Sequence, residues 1–315
     1  MPRHVLPALL AALALALSLP VADAGAAGRC SATWTLVGAD VFRGADALMR
    51  SQGVTSDGDG WVFSWQGGLE RTLDDYTPTA LGTLPPDLAV APSAGPDGEN
   101  HVGDNHIGDI DHHDGLIYAP VEDGGQSAGP VDLNSPEYQA PHIALYDART
   151  LAYTGTSYAL DAGIHEAGVP WVAVDERRRQ VYTAEWDMPH DRINVFDLGM
   201  GFKRFLPLRY PASLGAGFHL SRIQGAKVDG DTLYATRDDA DKTVFAIDLR
   251  TGLVTRLFSL SPGVPSELEG LAVRRTPDGA LLHVLIVLDN NLPQDATNIR
   301  VSFNHYAPVR PQGCP

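Results

Sequence analysis

Cysteine is nearly absent from the 315-residue chain: only Cys30 and Cys314 occur, one close to each end. Two cysteines so placed leave little room for cysteine catalysis. Basic residues are also scarce. Lys and Arg total 23 against 39 Asp and Glu, for a formal charge of −16, and no segment gathers the cations into a patch. Nucleic acid and anionic membrane surfaces are therefore poor partners, and the acidic surface chiefly keeps the chain soluble. Helical periodicity is almost missing beyond the first residues, as are long apolar runs, so no membrane span is expected. No G-x-S-x-G elbow, P-loop or HExxH occurs, which sets aside the covalent and zinc-protease families that carry them.

The opening MPRHVLPALLAALALALSLPVADAGA has a basic residue, a short apolar run and small residues around Ala22 and Ala24. It reads as a signal peptide over residues 1–26, cut after Ala24 or Ala26, and predicts a secreted or periplasmic product. Export permits a Cys30–Cys314 disulfide. A lipid anchor on Cys30 is the competing reading, but Arg29 stands where a small residue would be needed.

What is abundant is turn chemistry with a repeat. IALYDARTLAYTGTSYAL (143–160), INVFDLGMGFKRFLPL (193–208) and VFAIDLRTGLVTRLFSL (244–260) each run from a short apolar strand to an aspartate, a tight turn and a second strand. Another strand pair precedes each, so four antiparallel strands recur every 40 to 55 residues. Residues 52–82 supply a first unit, and LEGLAVRRTPDGALLHVLIVLDNN with NIRVSFNHYAP supplies a fifth that lacks its outer strand. ATWTLVG (32–38) can fill that gap, closing a ring and bringing Cys30 towards Cys314. The prediction is an all-β chain: a single five-bladed β-propeller over residues 27–315, closed by its N-terminal strand and acting as a monomer. Six blades would require further strands within 83–105 or 209–221.

With this blade pattern and the stretches GDID and ELEGLAV, the chain resembles the broad propeller group of SMP-30-like lactonases, paraoxonases and NHL-type proteins. That resemblance implies a cation at the channel mouth held by acidic and amide side chains, in positions matched here by Asp109 and Glu269.

HVGDNHIGDIDHHDG (101–115) holds four histidines and four aspartates, a density that suggests a metal site. In a blade it divides: His112 and His113 belong to a tight turn on the plain face, whereas His106 leads in from the face that carries the long loops. An extended strand at about 3.3 Å per residue separates the two by roughly 20 Å, too far for one ion. Alignment of the first strands by glycine sets Gln52, Asp109, Gln224 and Glu269 at the channel, while the second strands deliver Glu122, Glu185, Asp238 and Asp289 to the same face. Oxygen-rich convergence suits calcium better than zinc; water-filled hydrogen bonding in the channel is the alternative. Of the loop histidines, His106 and His165, the latter beside Glu166, are the candidates for a general base, and His190 lies in a neighbouring loop. Two functions follow. One is an exported binder of a small molecule or protein on the loop face; the other is a metal-dependent hydrolase of an ester, lactone or phosphoester.

Overall fold

The computed structural model of the chain describes residues 33–89, 93–94, 100–101, 104–123, 139–161, 163–165, 168–186, 189–276, 279–289 and 299–309. The signal-peptide segment, Glu166, Cys30 and Cys314 lie outside those residues. Ala32–Val309 forms one compact unit.

Strand β1 (Thr33–Arg43) and a single helical turn, α1 (Ala45–Leu48), precede the first blade. That blade is β2 (Val54–Thr55), β3 (Trp61–Trp65), β4 (Gly68–Thr72) and β5 (Pro78–Thr83). A two-residue ribbon, β6 (Ser93–Ala94) with β7 (Asn100–His101), follows it. In the second blade an interrupted inner strand, β8 (His106–Ile107) and β9 (Asp111–His113), pairs with β10 (Leu116–Asp123), then β11 (Gln139–Asp147) and β12 (Tyr153–Ala159). The third holds β13 (Ala173–Asp175), β14 (Gln180–Thr183), β15 (Arg192–Asp197) and β16 (Phe202–Pro207). The fourth holds β17 (Ile223–Asp229), β18 (Thr232–Arg237), β19 (Thr243–Asp248) and β20 (Val254–Ser259). The fifth has β21 (Ser266–Thr276), β22 (Gly279–Leu288) and β23 (Arg300–Val309), and β1 completes it as the outer strand.

Five blades and closure by the N-terminal strand are as the sequence predicts, although β1 runs five residues further than the 32–38 segment suggested. Its register on β23 extends from Thr33↔Val309 to Arg43↔Arg300. The stretches in which a sixth blade would have to lie hold only the β6–β7 ribbon and, over Ala212–Leu214, one turn of 3₁₀ helix among the described residues.

Five apolar clusters accompany the five blades, each filling one interface between neighbours. Blade two packs on three through Ile143, Leu145, Val174 and Phe196, and blade five packs on one through Leu285, Phe303, Val54 and Phe63. Both faces of each blade are thus covered, so strands in the middle of a blade read as nearly unbroken apolar runs, of which HVLIVL in β22 is an example. The repeated aspartates are turn devices. The Asp147 carboxylate accepts the amides of Arg149 and Thr150 at 3.1 and 2.8 Å, and Asp248 does the same for Arg250 and Thr251 at 3.0 and 2.8 Å. At the opposite edge Asp114 and Gly115 take φ of 49° and 76°, the paired left-handed conformation of a two-residue hairpin.

Candidate functional site

The inner strand of blade two breaks because of what Asp109 does. At Gly108 the chain passes so close to blade three that an added Cβ would sit 2.1 Å from the Pro170 carbonyl oxygen. The Asp109 amide then donates to that same oxygen at 2.8 Å, and Val172 donates back to the Asp109 carbonyl at 3.1 Å. This detour carries the carboxylate across the channel axis, where Oδ1 accepts Val54 N–H of blade one at 3.0 Å and Oδ2 accepts Ala226 N–H of blade four at 3.1 Å. Lys227 Nζ lies 2.7 Å from Oδ2, with both side chains buried. Glycine is required around this group: a Cβ on Gly270 would stand 2.4 Å from Oδ1, and one on Gly225 would stand 2.8 Å from Oδ2. One residue further along, Asp111 accepts the Thr55 hydroxyl at 3.0 Å and the Val174 amide at 2.8 Å, tying blades one and three to two.

Burial raises the Asp109 carboxyl to about 7, against the opposing pull of Lys227 and of the Val54 amide. Both of its oxygens are engaged by amides and an ammonium, and the axial cation beside it is a lysine. Lys227 was not legible as a functional residue; its only signal is a basic side chain in the channel-lining strand IQGAKVD.

Above the axis, on the loop face, polar groups do converge. His106 Nε2 is 2.9 Å from Gln52 Oε1 and its Nδ1 is 3.3 Å from Glu122 Oε1. Glu122 is buried and accepts the Val169 amide at 2.5 Å. The Gln224 amide donates to Glu267 at 3.1 Å. Asp238 accepts Leu268 N–H at 2.9 Å and receives Arg222 and Lys242 at 2.8 and 2.5 Å. Glu269 is buried, and among the described residues it forms no ion pair. Desolvation, followed by the charges of Glu267, Asp238 and Asp109, pushes its carboxyl well above the ordinary range. Glu267 is raised too, by burial and then by Asp238, with His106 among the groups that oppose the shift. Glu267 was missed in the sequence; its signal is the spacing of two from Glu269 across Leu268, which puts both acids on one side of β21.

The remaining expected residues stand elsewhere. Asp289 is held at the end of its blade by an ion pair with Arg300. His165 is buried against Phe196, with Nε2 2.7 Å from the Thr183 hydroxyl, and burial lowers it to about 4. Glu185 lines a separate cavity with His190 and Asn194. His112 lines a cavity of about 500 Å³ with Asp111, Lys227 and Arg275 at the plain-face end of the channel, and His113 pairs with Glu176 at 3.5 Å. The histidine-rich motif thus serves two places. Among the described residues no three His, Cys, Asp or Glu side chains are set to hold a metal ion, and no helix is long and apolar enough to cross a membrane.

Neither a protein-family model nor a curated protein matches the sequence. Solved structures resemble it in fold. The GH43 protein BlXynB of Bacillus licheniformis is 13% identical with a TM-score of 0.51, over 86% of this chain and 55% of that one. A luciferin-regenerating enzyme is 13% identical with a TM-score of 0.48, over 88% and 96% of the two chains. A gluconolactonase of Xanthomonas campestris is 11% identical with a TM-score of 0.42, over 85% and 91%. The chain spans about half the length of the GH43 structure, and at such identity the likeness to it establishes the propeller fold alone.

Proposed function

We propose that the protein is an exported β-propeller that binds a ligand on its loop face, at the mouth of the central channel. The observation that carries this reading is the convergence there of Gln52, His106, Glu122, Gln224, Glu267 and Glu269, drawn from blades one, two, four and five. Oxygen acceptors dominate the set, so the ligand it suits is a cation or a molecule rich in hydrogen-bond donors. With Asp109 engaged by Lys227, a calcium ion would depend on Glu267, Glu269 and a glutamine amide oxygen rather than on the Asp109–Glu269 pair. Titration of the purified protein with calcium chloride, and separately with polyols, tests the reading by thermal shift. A ligand at 100 times its dissociation constant adds about 2.7 kcal/mol of stability, and Glu269→Gln should abolish that gain. If no probe stabilises the wild type and Glu269→Gln simply melts higher, the mouth is a solvated channel and the reading fails.

A second reading, hydrolysis of an ester, lactone or phosphoester, is favoured by one feature. His106 is held between Glu122 and Gln52, an arrangement that orients an imidazole for proton transfer. A bound divalent cation would polarise the carbonyl or phosphoryl oxygen. Release of p-nitrophenol from p-nitrophenyl acetate, lost in His106→Asn while calcium binding persists, would favour the enzyme over the binder.

A further inference from the structure

We infer that the channel mouth takes the head group of a primary amine, a compact cation with N–H donors, seated on the Glu269 carboxyl. The inference names the ligand chemistry of the mouth and rests on the reading of that mouth as a ligand site.

Glu269 is 2% exposed, and among the described residues its carboxyl takes part in no hydrogen bond or ion pair. Both of its oxygens keep a share of that small surface, whereas unpartnered atoms such as Trp171 Nε1 and His283 Nε2 are sealed completely. The carboxyl is therefore deep but reachable. Acceptors left bare at such depth cost free energy unless something donates to them.

Access comes from the loop face. A Cβ on Gly225 would stand 2.5 Å from the Gly270 Cα, and one on Gly270 would stand 2.7 Å from the Gly53 Cα, so the inner strands of blades one, four and five meet backbone to backbone beside Glu269. The Gly270 N–H donates to the Gln52 carbonyl at 2.8 Å, and Asp109 with Lys227 occupies the axis there. The charges acting on Glu269 rank Glu267, Asp238, then Asp109, so its neighbours at the mouth outweigh the one on the axis. This narrow floor suits the end of a molecule rather than a chain threading the channel.

The surrounding groups define the head. Three acids act on Glu269, so positive charge is favoured, and its bare oxygens call for donors. A calcium ion takes about six to eight oxygens. Asp238 is already engaged by Arg222 at 2.8 Å, by Lys242 at 2.5 Å and by the Leu268 amide at 2.9 Å, and among the described residues no three acidic, His or Cys side chains are set for a metal. An ammonium asks for less: its three N–H groups surround one small nitrogen, which a narrow floor admits more readily than a guanidinium or a quaternary amine.

The test is calorimetric titration of the full chain at pH 8 with propylammonium chloride, with tetramethylammonium chloride, which has the charge but no N–H, and with calcium chloride. Propylammonium should bind saturably and at least tenfold more tightly than tetramethylammonium, and Glu269→Gln should weaken it at least tenfold. Should that variant misfold, the contrast between the two amines on the wild type still decides the matter. Equal responses to both amines, or undiminished propylammonium binding in Glu269→Gln, would overturn the inference. Calcium binding without propylammonium binding would overturn it and leave the mouth a ligand site, whereas a wild type that takes up neither cation nor polyol would end both readings.

Discussion

The ammonium of Lys227 and the carboxylate of Asp109 lie 2.7 Å apart on the propeller axis, although 118 residues separate them in sequence. The pair joins blade four to blade two, and the Val54 amide adds blade one to the same oxygens' set of donors. Removing one partner of a buried pair costs far more than the pair contributes, because the other charge is stranded.

Lys227→Met should therefore lower stability by about 3–5 kcal/mol at pH 8. At pH 5 the loss should be smaller, since the stranded Asp109 can take a proton. Urea denaturation at the two pH values checks this, and an equal loss at both would show that the lysine acts by packing alone.

The buried acids and buried histidines impose opposite pH dependences. The carboxyls of Glu267 and Glu269 are raised above 4.5 in the fold, so the native protein keeps protons that the unfolded chain releases, and this contribution to stability falls as pH rises above 4.5. His165 and His190 are lowered to about 4 and His283 to about 3, so the unfolded chain binds protons first and stability falls as pH drops below 6.5. In chelator, Glu269→Gln should raise the melting temperature at pH 8 and leave it little changed at pH 4. His283→Phe should flatten the decline between pH 6.5 and 4. Melting curves that move in parallel at all pH values would contradict the assignment.

Thr33 and Val309 are paired, and Cys30 and Cys314 stand three and five positions beyond them in sequence. A non-reducing digest of exported protein should yield one peptide containing both cysteines. Reduction should then cost about 5 kcal/mol on the loop-entropy model, less any strain released. Two free thiols would remove the disulfide from the account.

Blade count was legible because each outer hairpin needs an Asx turn, and aspartates at 147, 197 and 248 mark those turns at a regular spacing. Closure was legible because the fifth unit lacked a strand. Gly53, Gly225 and Gly270, the glycines by which the first strands align, are points of close approach, and Asp109 is the group that crowds all three. That could not be foreseen: an aspartate in GDID looks the same whether it faces a cation at the mouth or a lysine on the axis, and the choice depends on residues more than a hundred positions away.

Pairing of β1 with β23 joins residues as far as 276 positions apart. A ring closed in this way has a fixed order of events. β1 has no partner until β23 is available, so blades one to four can assemble in sequence while the fifth stays open. Closure of so long a loop belongs to the slow, high-contact-order regime of folding. Until β23 is available β1 has no partner, and its unpaired edge is the surface exposed to mispairing in that interval.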